Sequence, residues 1–435
     1  MRTLTLSPCR ELAGDITLPG SKSISNRALL LAALASGDTR IHNLLDSDDT
    51  RLMRRALAQL EVNIIDSEVE SNGICTVSGS NGPLYQGNGR FTLDLGLAGT
   101  AIRPLAAALT LGQGQFVLDG VERMRERPIA PLVDGLRQLG ASIRYLETDG
   151  FPPLEIRGTG LQGGKVKIPG DLSSQFLTSL LMAAPLARRP VSIEIIGEQI
   201  SKPYLAITLH MMQQFGVSVE HDNFQRFEVS PARYRSPGDF LVEGDASSAS
   251  YFLAAGAIRG SGIRVHGLGA DSVQGDLAFL DVLEAMGARV SRDATSIFVQ
   301  PGALHGVDLD LNNIPDAAMT AAILALFARG TTTLRNIYSW RIKETDRLAA
   351  MSTELRKLGA TVIEGRDFLQ ISPPDQLSSA TIDTYGDHRM AMCFSLACLG
   401  GVSVVINDPD CVDKTFPDYF ERFAELRNEA PVETT

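Results

Sequence analysis

The sequence predicts an α/β protein of six repeated units arranged as two pseudo-threefold domains. Three observations predict it. One pattern recurs along the 435 residues: an Ala/Leu-rich helix, a Gly or Arg break, a β-branched strand, a polar loop, a second amphipathic helix, then Gly-Ala or Gly-Val and another strand. The first helix of each copy is apolar nearly all round. The sixth copy lacks its final strand, whereas the chain starts with Thr3-Leu4-Thr5-Leu6, which alternates like one.

The copies begin at Ala28, Ile102, Phe176, Ser250, Met319 and Met390. Their second helices are expected to end at Leu60, Leu139, Phe215, Met286 and Leu358, at intervals of 79, 76, 71 and 72 residues. That period is too long for a solenoid of short repeats. Glycine after most of these ends suits a left-handed C-cap, and helix–strand alternation with short joins indicates an α/β protein. Leu29, Leu30, Leu31, Ala32, Ala33 and Leu34 are consecutive, so the first helices should be buried on every side. The second helices carry charge on one face, as at Arg51, Arg54 and Arg55. Inner and outer helix layers follow, with sheets around the inner helices. The N-terminal strand, residues 3–6, should close the domain formed by the last units. No low-complexity linker is visible, so the hinges are short crossings near Leu18–Lys22 and Phe240–Asp245.

Hydrophobic residues make up 44% and charged residues 21%, which excludes wholesale disorder and fibrous repeats. The net charge, 40 − 51 = −11, disfavours nucleic acid and anionic lipid. Five cysteines with no CxxC argue against a disulfide framework and for a reducing cytoplasm. The N-terminus lacks the apolar core of a signal peptide. The longest apolar stretch, Ala317–Ala328, is short of the ~20 residues that span a bilayer. Six histidines (42, 210, 221, 266, 305 and 388) are scattered, with no metal constellation.

An acidic chain that gathers cations in loops points to a small anionic ligand. Leu18–Arg27 stands before the first buried helix and carries Lys22 and Arg27 at a helix start, where backbone amides favour anions. It is not a nucleotide phosphate loop, because Lys22 does not directly follow Gly20. Gly96-Leu97-Ala98-Gly99 offers either an amide nest or a plain tight turn. Arg123, Arg125 and Arg127 alternate at a helix start and suit two-pronged bonds to a carboxylate or phosphate, or a solvated face. Ser173-Ser174-Gln175 and Ser201-Lys202-Pro203-Tyr204 suit phosphate oxygens and hydroxyls, though alone they read better as helix caps. In the second half, Asp316 precedes a wholly apolar helix, where the commoner role of a carboxylate is a helix cap. Tyr338–Arg347, Asp387–Met390 and Asp413–Pro417 repeat the cationic theme. Lys22, Arg27, Arg127, Lys343, Arg347, Arg389 and Lys414 could neutralise two phosphates and one or two carboxylates. Asp316 and Glu344 are then the candidates for proton transfer.

These motifs together resemble the bacterial 5-enolpyruvylshikimate-3-phosphate synthase family, shikimate-pathway enzymes inhibited by glyphosate. The resemblance covers essentially the whole chain: LPGSKSISNRALLLAALASG, LLDSDD, AGTAIRPLAAAL, ERPI, SSQFLTSLLMAAPLA, SKPY, VEGDASSASYFLAA, IPDAAMT, RIKETDRL, DHRMAM and KTFPDYF. It implies two domains, each of three βαβαββ-type units with buried helices, an inside-out α/β barrel. The implied bounds are 1–20 plus 243–435 against 21–242, with the active site in the cleft between. The implied reaction moves the enolpyruvyl group of phosphoenolpyruvate to the 5-hydroxyl of shikimate 3-phosphate and releases phosphate. It runs by addition–elimination in chorismate biosynthesis, without metal or organic cofactor, in a cytoplasmic monomer.

Carried over by resemblance, Lys22, Gly99, Arg127, Gln175, Arg347, Arg389 and Lys414 hold phosphoenolpyruvate. Lys22, Ser23, Arg27, Ser173, Ser174, Gln175, Ser201, Asp316, Ser339 and Lys343 hold shikimate 3-phosphate. Asp316 accepts the 5-hydroxyl proton, and Glu344, helped by Lys22, moves the proton at the methylene carbon. The family usually has Asn where this chain has Leu97, Ser339 and Gly386. Ser339 can still donate a hydrogen bond; Leu97 cannot. The nearest rival is the sister transferase acting on UDP-N-acetylglucosamine, but its reactive Cys has no counterpart in Arg123–Pro128. A non-catalytic anion-binding protein would not need Asp316 and Glu344 together.

Overall fold

The computed structural model describes residues 2–10, 12–66 and 74–427. Of the domain bounds expected above, Met1, Glu11, 67–73 and 428–435 lie outside the described residues. The chain divides into two compact units, Met1–Pro19 with Glu243–Thr435, and Gly20–Val242.

Thirteen α-helices follow in chain order among the described residues. In the continuous unit they are Lys22–Leu34 (α1), Asp48–Gln59 (α2), Gly99–Ala108 (α3), Glu122–Arg125 (α4), Ala130–Gln138 (α5), Ser174–Ala183 (α6) and Lys202–Gln214 (α7). In the other they are Ala246–Ile258 (α8), Phe279–Met286 (α9), Ala318–Leu324 (α10), Arg347–Lys357 (α11), His388–Ser395 (α12) and Tyr419–Leu426 (α13). Six of these, α1, α3, α6, α8, α10 and α12, are buried along almost their whole length. Beyond their polar first turns they are built mainly of Ala, Leu, Met and Phe, so no face is polar enough to meet water. In one unit α3 packs against both α1 and α6; in the other α10 packs against both α8 and α12. The second helices are one-sided. In α9, Phe279, Leu280, Val282, Leu283 and Met286 are buried, while Asp281 and Glu284 are exposed.

These outer helices stop where the sequence places their ends. Gly140, Gly216, Gly287 and Gly359 follow at φ +94°, +82°, +103° and +98°, the left-handed conformation a glycine cap supplies without strain. In the first copy Glu61 takes the same conformation at φ +67°. The inner helices, by contrast, begin one to six residues before the apolar runs that announced them. Ser23, Asn26 and Arg27 lie on α1 itself, and Gly99 to Arg103 on α3, with Pro104 inside that helix. What reads as a polar loop before each helix is largely the cap and first turns of the helix. The apolar pattern sets in only deeper along it.

The described strands form six small sheets, five of four strands and one of three. Gly164–Pro169, leading into α6, runs parallel to Val191–Ile196 after it. Antiparallel to that lies Arg226–Val229, with Glu220–Asp222 outermost. The same βαβαββ order recurs with Arg90–Asp94 and with Asp308–Asp310 as leading strands. At the two chain crossings the leading strands are exchanged. Ala13–Thr17 leads into α1 but pairs with Gly262–His266, which follows α8; Asp239–Leu241 leads into α8 but pairs with Asp38–His42, which follows α1. In the sixth sheet Val404–Asn407 lies between Ala380–Ile382 and the N-terminal strand Thr3–Leu6, which is antiparallel to it.

Close packing of helix on sheet explains Gly256 in the last turn of α8. A Cβ there would stand 2.8 Å from the Val299 carbonyl oxygen and 3.1 Å from the Ile263 nitrogen, both backbone atoms that cannot swing away. Helix propensity alone favours Ala by ~1 kcal/mol. Overpacking of ~1–3 kcal/mol should win, so Gly256→Ala is expected to lower the melting temperature. An unchanged or raised melting temperature would show that α8 can move off the sheet.

Candidate active site

In the continuous unit buried cations lie on the first turns of α1 (Lys22, Arg27), on α3 (Arg103) and in the loop after α4 (Arg127). Arg27 points its guanidinium at neutral oxygens only: Nε donates to Thr208 Oγ1 at 2.9 Å and Nη1 to the Ser23 carbonyl at 2.8 Å. Weaker contacts reach Thr178 Oγ1 and the Tyr204 carbonyl. Burial lowers its pKa to about 10, with Tyr204 acting slightly the other way. It therefore stays charged at neutral pH with no carboxylate to offset it. Arg127 is also buried; its Nη1 donates to the Leu97 carbonyl at 3.2 Å and its Nε has no partner. Among the described residues neither arginine is in an ion pair. A buried charge held by neutral dipoles is costly unless an anion arrives.

Gly99 lies against this cluster because nothing larger fits. A Cβ would meet Arg103 Nη1 at 2.8 Å and Arg127 Nη2 at 3.0 Å. Arg103 in turn binds the side-chain oxygen of Gln175 and donates to the Pro128 carbonyl at 3.2 Å. Lys22, at the start of α1, stands 3.5 Å from the buried Asp49. Asp49 also accepts from Thr100 Oγ1 at 3.4 Å, and Thr100 accepts from Asn26 at 2.7 Å.

The discontinuous unit has a cluster of the opposite character, in which carboxylates and cations are matched. Asp316 accepts from Arg347 Nη1 at 3.0 Å, Arg389 Nη2 at 3.0 Å and Lys343 Nζ at 3.4 Å. Arg347 also donates to Asp387 Oδ2 at 2.7 Å and Glu344 Oε2 at 2.8 Å. Arg389 reaches the buried Tyr251 hydroxyl at 3.0 Å. Burial works to raise the pKa of Asp316, but Arg389, Lys343 and Arg347 outweigh it and the nearby Glu344. The carboxyl is held well below the usual range. Burial opposes the charge on Arg347, yet Asp387, Glu344 and Asp316 raise its pKa further.

Several expectations change. Asp316 is no helix cap: the residue before α10 is Ala317, and the Asp316 side chain is held by three cations. Ser173 does cap α6, accepting from the Gln175 amide at 3.2 Å, and Ser174 is buried behind it. Ser201 stands before α7 in left-handed backbone, φ +52°, without a side-chain cap bond. The Gly96–Gly99 turn is not an amide nest, because the Gly96 amide donates to Asp94 and the Gly99 amide to the Leu97 carbonyl. Of the three alternating arginines only Arg127 turns inward. Arg125 pairs with Asp119 and Glu147, and Arg123 with Glu126. Arg347, expected to hold phosphoenolpyruvate, is engaged by three carboxylates of its own unit. Ser339 is half-buried, and the turn Pro409–Lys414, ending in a buried Lys414, packs against α12. Gly386 has φ +66° with open space beside it, a conformation that Asn also tolerates.

Sequence reasoning missed Asp49, Arg103, Asp387 and Tyr251. Asp49 reads as an ordinary acid in a helix first turn, and Tyr251 is hidden in an apolar run. Only Asp387, next to His388 and Arg389, carried a local signal. Among the described residues no three His, Cys, Asp or Glu side chains gather as a metal site, and no helix is long and apolar enough to cross a membrane.

Comparisons with known proteins agree with one another. A family model described as EPSP synthase (3-phosphoshikimate 1-carboxyvinyltransferase) matches residues 6–423. A 3-phosphoshikimate 1-carboxyvinyltransferase of Shewanella loihica is 60% identical over 427 residues, covering 98% of this chain and 100% of that one. One from Vibrio cholerae matches to the same extent. Among solved structures, EPSP synthase from Acinetobacter baumannii superposes with a TM-score of 0.83 at 24% identity over 100% of both chains. The enolpyruvyl transferase NikO from Streptomyces tendae gives 0.79 at 18%, covering 100% of this chain and 98% of that one. At these identities the two structures speak for the fold.

The depressed pKa of Asp316 makes a stability prediction. Its ionised form stabilises the fold above the unfolded value of about 4, and that contribution is lost as pH falls from there toward the folded value. Asp316→Asn removes the carboxylate shared by Lys343, Arg347 and Arg389, a loss on the order of 3 kcal/mol. The melting temperature should drop by a similar amount at pH 7 and pH 5, and the gap to wild type should narrow below about pH 4. A gap that stays constant down to pH 3 would mean that the charge of Asp316 is not what the substitution removes.

Proposed function

The chain belongs to the EPSP synthase family, and on that premise we propose which of its residues perform the reaction. The activity is that of a 3-phosphoshikimate 1-carboxyvinyltransferase of the shikimate pathway: the carboxyvinyl group of phosphoenolpyruvate passes to the 5-hydroxyl of shikimate 3-phosphate, and phosphate leaves. The observation that carries the assignment of roles is the contrast between the two clusters. One unit buries arginines without counter-ions; the other holds carboxylates among matched cations.

In this proposal the continuous unit is the anion holder. Lys22, Ser23, Arg27, Ser173, Ser174, Gln175 and Ser201 bind shikimate 3-phosphate. Lys22, Gly99, Arg127 and Gln175 bind phosphoenolpyruvate. The discontinuous unit contributes Lys343, Ser339 and Asp316 to the first substrate and Arg347, Arg389 and Lys414 to the second. The reaction draws on both units, because Arg27 and Arg127, in no ion pair among the described residues, lie in one and the proton-transfer carboxylates lie in the other. Pinning two mutually repelling anions together supplies proximity that solution does not.

Asp316 takes the proton of the 5-hydroxyl as that oxygen bonds to C2 of phosphoenolpyruvate. Glu344, with Lys22, gives a proton to C3. The tetrahedral adduct then loses phosphate from C2 while Glu344 recovers a proton from C3, and the proton taken up by Asp316 leaves with the phosphate as hydrogen phosphate. Held by three cations, Asp316 is a weak base in the free protein. Substrate phosphates and carboxylates would draw Lys343, Arg347 and Arg389 away and raise its basicity as both substrates arrive. We place the enzyme in the cytoplasm as a monomer, with glyphosate inhibiting at the phosphoenolpyruvate positions. Five cysteines without a disulfide suit that compartment.

Phosphate release from phosphoenolpyruvate should require shikimate 3-phosphate, and UDP-N-acetylglucosamine should not replace it. Asp316→Asn should lower kcat by ~10²–10⁴ with smaller changes in KM. Turnover within threefold of wild type would remove Asp316 from the proton path. Leu97 tests the phosphoenolpyruvate side. It is half-buried, unlike the fully buried Leu95 and Ile102, so an amide at this position need not be sealed from water. Leu97→Asn is expected to raise kcat/KM for phosphoenolpyruvate by ~2–10-fold, one recovered hydrogen bond. Lost thermal stability with no kinetic gain would make the position purely structural.

A further inference from the structure

Apart from the ion pairs of Asp316, the loop that carries it is joined to the segment that carries Lys343 and Glu344 by a buried aromatic side chain. Trp340 lies in the short helical turn Tyr338–Ile342 and is fully buried in the same apolar core as Ile314, Ile337 and Leu348. Its indole Nε1–H donates to the carbonyl of Pro315 at 2.6 Å. A buried indole needs an acceptor for its one polar atom, and the one it has found is the carbonyl that immediately precedes Asp316. From the outside, Arg341 fastens the same segment: Nη1 pairs with Asp346 at 2.9 Å, Nη2 with Glu364 at 2.9 Å and with the Gly365 carbonyl at 2.7 Å. Asp346 itself caps α11, accepting from the Ala349 amide. Lys343 and Glu344 are therefore suspended between two fixed points, Trp340–Arg341 and Asp346, and the inner point is bonded to the neighbour of Asp316.

We propose that Trp340 is a positioning residue for proton transfer: by holding the Pro315 carbonyl it sets Asp316 in register with Lys343 and Glu344. This rests on the role proposed above for Asp316. The side chain of Asp316 is aligned by cations that substrates would draw away, so something other than those cations must keep its carboxylate in place during the reaction. A tether on the backbone does this and touches neither substrate. Trp340 is also the only tryptophan of the chain, which permits a substitution of one atom.

Protein made in a tryptophan auxotroph with benzothienylalanine carries sulfur in place of the indole N–H and little other change. Protein made with 4-fluorotryptophan keeps the N–H and serves as the packing control. Displacements of about 1 Å at a reacting group cost up to ~10²-fold in rate. The benzothienyl enzyme should lose at least ~10-fold in kcat, with KM for each substrate within threefold. The fluoro enzyme should match wild type. Wild-type kcat in the benzothienyl enzyme overturns the proposal. So does an equal loss in the fluoro enzyme, which would place the effect in packing. A benzothienyl protein that fails to fold while the fluoro protein folds also counts against it, by making the bond one of folding rather than position. Asp316→Asn separates the two layers. Wild-type turnover in that variant sinks the base assignment, whereas an inactive Asp316→Asn beside a fully active benzothienyl enzyme sinks only the tether.

Discussion

Six helices that meet water on no side impose the rest of the design. A helix buried along its length can carry polar side chains only where it emerges, and the first turns of α1, α3, α6 and α12 are where Lys22, Arg27, Arg103, Ser174 and Arg389 sit. The same ends carry the positive pole of the helix, which favours anions. Burial of the helix bodies and concentration of anion-binding groups at their ends are thus one constraint seen twice. The sheets follow from it too, since each must present an apolar inner face to a helix that has no polar face to offer in return.

The two units use this arrangement in opposite electrostatic senses. Arg27 and Arg127 are left among neutral oxygens, which weakens the free protein but leaves charge available to a ligand; a bound anion returns the stability through mass action. In the other unit Lys343, Arg347 and Arg389 are matched by Asp316, Glu344 and Asp387. A matched set is stable without ligand and changes proton affinity when one partner is drawn off. On the proposed roles, binding and proton transfer ask for different ground states, and separate units allow each its own.

Much of the fold was legible because it rests on periodicity. The ends of the outer helices at Leu60, Leu139, Phe215, Met286 and Leu358 fall on the last helical residue or the cap. The starts of the inner helices were less legible, since their polar first turns carry loop-like residues; Lys22 to Arg27 is the clearest case. At the site, repetition of cationic segments drew attention to residues that the structure gathers into two clusters, and the family resemblance gave them the roles proposed for them. Which of them are paired was not legible. That Arg347 binds three carboxylates of its own unit, that Arg125 turns to Asp119, and that Trp340 reaches the Pro315 carbonyl all depend on side chains distant in sequence. No local pattern encodes such partners. The exchange of leading strands at the two crossings was implied only by the domain bounds that the resemblance carries, because in local pattern each exchanged strand looks like any other.

That exchange has a consequence for how the chain is made. Gly20–Val242 contains every strand of its own three sheets, so a ribosome delivers it whole and it can close before the rest exists. The first nineteen residues cannot. Ala13–Thr17 has no partner until Gly262–His266 emerges, and Thr3 pairs with Asn407, 404 residues downstream. Closing so long a loop rather than one of 50 residues costs only about 2 kcal/mol more, because the entropy grows with the logarithm of length. The burden falls on time instead. Two strands with unsatisfied edges must wait through the synthesis of an entire folded insert, exposed to other nascent chains. Thr3–Leu6 is four residues long and Ala13–Thr17 five, with Asp15 and Gly14 in the latter: short, interrupted edges that offer a poor template to a stranger while they wait.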